Sequence, residues 1–328
     1  MPRSIRLALH LWAAAGLAVA CVGLAVAQSW PQHTLWTESP LRLNPASGAN
    51  LYSLDASASY RRQWVGLEGA PSTTQAAVGA PLYIVGGGAS LGFEYDEVGA
   101  HEQSLVRGAL SYGVYDRDDW RVSVGAGVTY RSVRLDGSRL RTADGEYVDQ
   151  LNHFDDLLPV AGVSGSALGV DLGVEATWRE TTFGVSFLDA NGPVSQLDEG
   201  PGRRYAPTVL AYGMSVLPVA ELIDLEGSAL VQTDGATWQT QLGARAWYDR
   251  NIALGAALRG YSGATLDAVS LLVSWRPSPG LTFGYAYDYG LSTLQQVHDG
   301  SHEVVIRYVM RDPIGKGQLP PAIYNPRP

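Results

Sequence analysis

The chain is short of cysteine and of charge, and it has no long apolar run beyond its first residues. Of its 328 residues, one is a cysteine, Cys21, and 17% are charged, whereas soluble domains carry about a quarter charged residues. If a leader is removed after Ala27, no cysteine remains, which excludes a disulfide framework and thiolate chemistry. The net charge of -9 provides no basic face, so the composition argues against nucleic-acid binding.

Residues 1–27 are predicted to form a cleaved secretory signal peptide. Two arginines precede an almost uncharged apolar stretch, residues 7–24, and Ala25-Val26-Ala27 has the small-x-small form of a cleavage site. The apolar stretch alone would also fit a membrane anchor. Cys21 offers a second alternative, because it follows Ala18-Val19-Ala20 as a lipoprotein acceptor would. Both alternatives share the conclusion that the protein is exported.

The chain does contain many strand-length segments that alternate in polarity. Four lie back to back, at residues 237–248, 251–261, 265–276 and 280–288, and each has the length of about nine to twelve residues that a tilted membrane strand needs. In the first, Trp238, Leu242 and Tyr248 share one face, while Gln239, Gln241 and Arg245 share the other. A period of two with aromatic residues at the strand ends predicts a lipid-facing wall around a polar lumen.

Ten further segments show the same alternation and bring the total to about fourteen, an even number as is usual in bacterial barrels. They are residues 51–60, 72–80, 87–95, 103–115, 120–132, 167–178, 181–188, 205–216, 222–233 and 301–310. No long amphipathic helix is predicted between them.

The connections alternate between long and short, as the two sides of an outer-membrane barrel require. The odd-numbered connections are residues 61–71, 96–102, 133–166, 189–204 and 289–300, with two short exceptions at 234–235 and 262–264. The even-numbered ones have at most about six residues, a usual length for turns. Barrels of this class place the short turns in the periplasm and the long loops outside the cell.

The predicted fold class is therefore all-β: a transmembrane, antiparallel, up-and-down β-barrel of about fourteen strands over residues 51–310. Residues 28–50 are expected to form an N-terminal periplasmic segment and residues 311–328 a periplasmic tail, so that both termini lie in the periplasm. A soluble, exported β-sandwich would show similar alternation and remains the alternative fold.

No group of residues predicts catalysis, a cofactor or a metal site. Four short matches to known motifs lack the structural context that those motifs need: Gly88–Gly92 as G-x-S-x-G around Ser90, His298 with His302, His153 with Asp155 and Asp156, and the glycine run Gly86–Gly88. The first and last have no following helix. The histidine pair is not on a helix, and the acidic pair lacks the spacing of a calcium loop. The protein is therefore expected not to be an enzyme.

Four segments resemble, in order and spacing, motifs of the PorP/SprF family of outer-membrane proteins of the type IX secretion system. They are Leu43-Asn44-Pro45-Ala46, Tyr60-Arg61-Arg62-Gln63-Trp64 with Gly69-Ala70-Pro71, Gly300-Ser301-His302-Glu303, and Tyr324-Asn325-Pro326-Arg327. The resulting candidates for partner contact are Asn44, Pro45, Arg61, Gln63, Trp64, His302, Glu303, Asn325, Pro326 and Arg327. These residues also have structural interpretations, such as a turn at Asn44-Pro45 and an aromatic girdle position at Trp64.

The resemblance implies a non-enzymatic outer-membrane component of type IX secretion, with roles in protein secretion, gliding motility or cell-surface anchoring. Its implied partners are periplasmic ring and lipoprotein components of that system, the C-terminal domain of a secreted adhesin or other cargo, and membrane lipid. The alternative function is an outer-membrane porin or small-ligand transporter, whose selectivity inward-facing arginines would tune. These arginines are Arg121, Arg131, Arg245 and Arg259. Inward arginines and carboxylates could instead pair with one another and close the lumen.

Overall fold

The computed structural model describes residues 31–311, except residues 84–85, 148–150, 156–157, 199–201 and 262–264. Within these residues the chain is built almost entirely from strands. They are β1 (Asp55–Arg62), β2 (Ser72–Leu82), β3 (Gly87–Val98), β4 (His101–Arg117), β5 (Trp120–Asp136), β6 (Gly162–Trp178), β7 (Thr181–Leu188), β8 (Val194–Leu197), β9 (Arg203–Arg204), β10 (Thr208–Ala220), β11 (Ile223–Thr233), β12 (Trp238–Tyr248), β13 (Ile252–Tyr261), β14 (Thr265–Ser278), β15 (Leu281–Gly290) and β16 (Ser301–Val309).

Fourteen of these strands form one closed antiparallel barrel, which confirms the predicted fold class and strand number. Neighbours in the chain are neighbours in the wall, except that β7 pairs directly with β10. The barrel closes because β1 pairs with β16 and β5 pairs with β6. The two short strands β8 and β9 lie in the connection between β7 and β10, where they pair with each other and extend the edge of β6.

The alternation along each strand sorts polar side chains to the inside and apolar ones to the outside. On β12, Arg245 is 4% exposed, whereas Leu242 on the opposite face is 57% exposed. This is the reverse of a soluble protein, because the outer surface meets hydrocarbon and the lumen side chains must satisfy polar groups. The lumen therefore has a polar surface against which another polar segment of the chain can pack.

Aromatic residues stand where the wall meets the short turns. Trp120 of β5 stacks on Trp178 of β6 with ring centroids 6.0 Å apart, and Trp275 of β14 stacks on Phe283 of β15 at 5.7 Å. Such amphipathic rings are favoured at the headgroup level of a bilayer. These contacts mark one boundary of the membrane-embedded wall.

Several strands run further than the alternation predicted, and so the long connections are shorter. The connection expected at residues 96–102 is reduced to Gly99 and Ala100, because β3 and β4 stay paired as far as Val98 and His101. Likewise β5 and β6 pair as far as Asp136 and Gly162. Outside the hydrocarbon region both faces of a strand can be polar. The strands therefore stay paired through their backbone groups over residues whose polarity no longer alternates.

The N-terminal segment differs most from expectation. Residues 31–50, which we call the plug, lie inside the barrel rather than in the periplasm, and form short helical turns at Trp36–Glu38, Pro40–Leu43 and Pro45–Asn50. Most of the plug is buried, because the lumen wall supplies partners for its polar groups. None of the helices among the described residues is long and apolar enough to cross a bilayer.

The plug runs along the barrel from the long-loop end to the short-turn end. Thr34 contacts residues near the long-loop ends of β1, β15 and β16, whereas Asn50 lies beside Ser123 near the short-turn end of β5. Arg311, the last described residue, also lies at the short-turn end, where it contacts Pro279. The predicted signal peptide, the tail beyond residue 311 and the compartment of both termini lie outside the described residues and remain predictions.

The inside-out pattern predicts how a charge on the wall affects stability. Replacing Leu242, midway along β12, with arginine should lower the free energy of unfolding by about 2–4 kcal/mol, because the charge would face the bilayer midplane. The matched change Ile252→Arg, at the short-turn start of β13, should cost about 0–1 kcal/mol. Denaturant unfolding of both variants in lipid vesicles measures the difference. Equal costs would contradict the assignment of this face to lipid.

Candidate functional site

The candidate functional site is the barrel lumen together with the plug that passes through it. Its residues fall into three layers, near the long-loop end, in the middle and near the short-turn end. In each layer, charged or polar side chains of the wall reach inward and bind the plug.

Arg61 of β1 is the centre of the layer near the long-loop end. It is 1% exposed, and its guanidinium lies 2.6 Å from Asp288 of β15 and 3.1 Å from Glu303 of β16. Glu303 also accepts hydrogen bonds from the backbone N–H groups of Thr34 (2.7 Å) and Leu35 (3.1 Å). The ion pairs of the wall thus hold the backbone of the plug directly.

A second arginine completes this layer. Arg259 of β13 lies 2.9 Å from Asp288, and the Thr34 hydroxyl donates to the same carboxylate at 2.9 Å. Leu35 packs beneath with buried apolar residues of β13–β16, namely Ala257, Leu272, Ala286 and Val305. Five wall strands, β1 and β13–β16, therefore converge on two plug residues.

His33 lies in the same layer and binds the opposite wall. Its ring shares a hydrogen bond of 2.8 Å with the side chain of Gln75 on β2. The other ring nitrogen lies 4.0 Å from the Glu303 carboxylate, beyond hydrogen-bond distance.

Arg245 of β12 organises the middle layer. Its guanidinium lies 2.7 Å from Glu38 of the plug and 2.5 Å from Glu226 of β11. On the opposite wall, Arg107 of β4 lies 2.7 Å from Asp171 of β6 and donates to the backbone carbonyl of Arg42 at 2.6 Å. Buried charges are stable only when they are paired and hydrogen-bonded, and here each guanidinium has both kinds of partner.

Asn44 and Pro45 dock the plug on the wall nearer the short-turn end. The Asn44 side chain accepts a hydrogen bond from the Ala46 N–H at 2.9 Å, and its amide donates to the backbone carbonyls of Val174 (2.9 Å) and Val185 (3.3 Å). Asn44 thereby caps the helical turn Pro45–Asn50 and binds β6 and β7 at the same time.

Glycines make this close approach of plug and wall possible. A Cβ atom at Gly173 of β6 would collide with the Asn44 side chain, and one at Gly125 of β5 would collide with the backbone of Pro45 and Ala46. In the same way, a side chain at Gly88 would collide with the carbonyl of Gly48. Only glycine lets the two backbones pack at this distance.

In the layer near the short-turn end, one carboxylate binds both the plug and the wall. Glu175 of β6 accepts hydrogen bonds from Ser47 (2.6 Å), from Asn50 (2.5 Å) and from the hydroxyl of Tyr212 on β10. The Tyr212 ring packs edge-on against Trp36, with centroids 5.8 Å apart. A polar network and an aromatic contact thus fix both helical ends of the plug.

Five of the ten predicted site residues make contacts between plug and wall within the chain, in two different layers of the lumen. Asn44, Pro45, Arg61 and Glu303 all join the plug to the wall, as described above. Gln63 also joins the wall to the plug, because its side-chain amide donates a hydrogen bond to Gln32 at 3.3 Å. Pairing of β1 with β16 places Arg61 opposite Glu303, which explains why two motifs far apart in sequence belong to one cluster.

The other predicted residues lie elsewhere. Trp64 sits in the loop after β1, where its backbone has φ of 46° and its N–H donates to the Ser301 hydroxyl at 3.2 Å. His302 shares a hydrogen bond of 2.7 Å with the Tyr285 hydroxyl and is on the face of β16 opposite to Glu303. Asn325, Pro326 and Arg327 lie outside the described residues.

Sequence reasoning expected inward carboxylates to pair with arginines but named no single wall carboxylate or plug partner as a site residue. Asp171, Glu175, Asp288, Glu38 and Thr34 carry no motif. Their only signal is that three of them are isolated acidic residues on the polar face of a strand, where an unpaired charge would be costly. Among the described residues, no group of His, Cys, Asp and Glu could hold a metal ion.

The model of the family described as "Type IX secretion system membrane protein PorP/SprF" matches residues 25–308. No curated protein sequence is significantly similar to the chain.

Solved structures of outer-membrane barrels resemble the fold at low sequence identity. Omp33 of Acinetobacter baumannii has a TM-score of 0.41 and 9% identity, covering 79% of this chain and 98% of that chain. A FadL homologue of Pseudomonas aeruginosa has a TM-score of 0.44 and 12% identity, covering 81% and 92%. The monoaromatic hydrocarbon channel CymD has a TM-score of 0.45 and 11% identity, covering 90% and 94%.

The Arg61 cluster predicts a large loss of stability when its arginine is removed. Arg61→Ala should lower the free energy of unfolding by about 3 kcal/mol, because Asp288 and Glu303 would remain buried with fewer partners. Arg62→Ala, at the neighbouring exposed position, should change it by less than about 0.5 kcal/mol. Denaturant unfolding in detergent compares the two. Similar losses would show that the cluster does not stabilise the barrel.

The glycine contacts predict a specific loosening of the plug. Gly173→Ala should speed hydrogen exchange of the backbone amides of residues 40–50, because the added methyl group displaces Asn44. Gly227→Ala, where a Cβ would meet nothing within 4 Å, should leave that exchange unchanged. Mass spectrometry of the exchanged full-length protein gives the measurement. Equal exchange in both variants would refute the docking role of Gly173.

Proposed function

This chain belongs to the PorP/SprF family of type IX secretion system membrane proteins, and we propose that it acts there by binding proteins at the two rims of its barrel. It is an outer-membrane β-barrel protein. In the proposal it is not an enzyme: it holds the C-terminal domain of a secreted adhesin or other cargo outside the membrane. At its other rim it contacts the periplasmic secretion machinery.

The occupied lumen is the observation that supports this proposal most strongly. The plug enters near the long-loop end and reaches the short-turn end, and wall charges of all three layers bind it. Arg131, Arg245 and Arg259, which could have tuned ion selectivity, are in ion pairs with Asp189, Glu38 and Asp288 respectively. A barrel filled in this way offers partners its two ends rather than a through-channel.

The long-loop rim has features suited to a protein partner. Its largest connections are residues 137–161 and 189–207, and the first carries Phe154, which is 63% exposed. Val160 in the same connection and Val297 in the one before β16 are also exposed. Apolar side chains displayed on loops beyond the membrane are candidates for a protein contact.

The short-turn rim is the natural side for the machinery, because short turns face the periplasm in bacterial barrels. The turns between strands there are tight, as at Asp118, Arg179 and Asp249, each with positive φ. At these described turns a partner would meet short, well-defined backbone. Ring or lipoprotein components of the secretion system are the proposed occupants.

Co-purification from the native envelope tests the proposal. The mature full-length chain, solubilised in detergent, should recover periplasmic secretion components or a large secreted protein through its C-terminal domain. The double change Phe154→Ser and Val297→Ser should reduce recovery of the secreted protein and leave the periplasmic components. Val219→Ser, an exposed valine near the short-turn end of β10, should leave recovery of the secreted protein unchanged.

The alternative function, a porin, predicts a different result for the same purified protein. A barrel that co-purifies with no partner and conducts ions steadily in a planar bilayer would overturn the proposed function. We expect little conductance, because the plug and its ion pairs occupy the lumen. Recovery of the secreted protein that is unaffected by the double change would place the cargo contact elsewhere on the protein.

A further inference from the structure

The short-turn end of the barrel contains a large open cavity that the plug does not fill. Its volume is about 900 Å³, and it lies between the end of the plug and the inward faces of β14, β15 and β16. Four arginines line it: Arg250, Arg276, Arg307 and Arg311. Three carboxylates, Glu38, Asp55 and Asp249, also line it, so the lining has an excess of one positive charge in a chain whose net charge is -9.

Two of the four arginines are neutralised by carboxylates. Arg307 lies 2.7 Å from Asp55, and Arg250 lies 3.0 Å from Asp224. The lining carboxylate Glu38 already pairs with Arg245. Among the ion pairs formed by the described residues, none includes Arg276 or Arg311. These two cations therefore lack a carboxylate partner in the part of the chain that the structure describes.

Arg276 is held in a fixed position at the cavity wall. Its guanidinium carbon lies 3.6 Å from the centroid of the Trp247 ring, and Trp247 is itself buried and donates to Glu226 at 2.9 Å. The Arg276 Nε group donates weakly to Thr282 at 3.4 Å. Stacking thus fixes the plane of the guanidinium and leaves its terminal N–H groups for a bidentate acceptor such as a carboxylate.

The position and size of the cavity identify the kind of ligand. Its lining includes inward-facing residues such as Glu38 and Thr282, so it opens along the barrel axis and not toward lipid headgroups. At about 900 Å³ it far exceeds the space that a single small anion needs and has the size of a site for a larger ligand. An extended polypeptide segment with acidic side chains satisfies both conditions.

The neighbouring surface strengthens the choice of a polypeptide. Tyr52 is 60% exposed and borders both this cavity and a smaller one of about 430 Å³. Exposed tyrosine beside arginine is the composition of protein-binding hot spots. The smaller cavity is lined by five carboxylates, Asp55, Asp116, Asp118, Asp119 and Glu175, and three arginines, Arg121, Arg179 and Arg307. Of the two cavities, only the larger one therefore has more arginines than carboxylates in its lining, four against three.

We propose that this larger cavity binds an acidic segment of a protein partner, with Arg276 as the main carboxylate ligand and Arg311 as a second one. The inference deepens the proposed function, on which it rests for the identity of the facing compartment. It gives the machinery contact a place and a chemistry: a carboxylate-bearing strand or loop that enters the barrel mouth from the periplasmic side.

A direct binding assay with defined peptides tests this inference. The detergent-solubilised full chain is titrated into a fluorescein-labelled peptide of alternating glutamate and serine, and into the same peptide with glutamine for glutamate. Fluorescence anisotropy should show binding of the glutamate peptide only, weakening as salt increases. Arg276→Gln should raise the dissociation constant about tenfold, the effect of losing one charge-assisted hydrogen bond.

Two further variants keep the test decisive. Arg311→Gln, at an exposed position whose loss cannot disturb the core, should also weaken binding. Arg179→Gln, which lines only the smaller acidic cavity and pairs with Asp119 at 2.7 Å, should not. Absence of binding, equal binding of both peptides, or equal affinity of the wild type and both cavity variants would each overturn the inference. So would full competition by inorganic phosphate alone, which would indicate a small-anion site. The envelope co-purification can succeed or fail independently of these results.

Discussion

The pairing of buried charges between wall and plug is the interaction on which the rest of the structure depends. A lumen lined by arginines and carboxylates is costly unless each charge finds a partner. Arg61, Asp288 and Glu303 find one another across three strands, and Glu303 also accepts hydrogen bonds from the plug backbone at Thr34 and Leu35. The barrel and its N-terminal segment are therefore one folding unit, since neither satisfies its polar groups alone.

This mutual dependence explains why the motif residues concentrate where they do. Asn44 and Pro45 need glycines opposite them on β5 and β6, and Arg61 needs Glu303 on the last strand. The identity of these residues is therefore set by the packing of the plug against the wall, independently of any contact with a partner protein. Binding to other proteins then falls to surfaces that the plug leaves open, the outer loops at one end and the cavity around Arg276 at the other.

The agreement between sequence and structure varies along the chain for physical reasons. The strands within the hydrocarbon were predicted well, because lipid on one side and polar groups on the other impose a strict period of two. The extensions of β3 to β6 were not, since water on both faces removes that constraint. The plug was placed in the periplasm because residues 31–50 have neither strand alternation nor a long helix, and a segment without periodicity carries no signal of where it packs.

By itself, the sequence determined the barrel: its strands and its inside-out polarity are local patterns that any closed arrangement must obey. Only the tertiary structure decided what the lumen contains and which charges meet. Arg61 and Glu303 are brought together by pairing of the first strand with the last, and Glu38 reaches Arg245 only because the plug lies inside. Contacts between residues distant in sequence depend on closure and register, which local patterning does not encode.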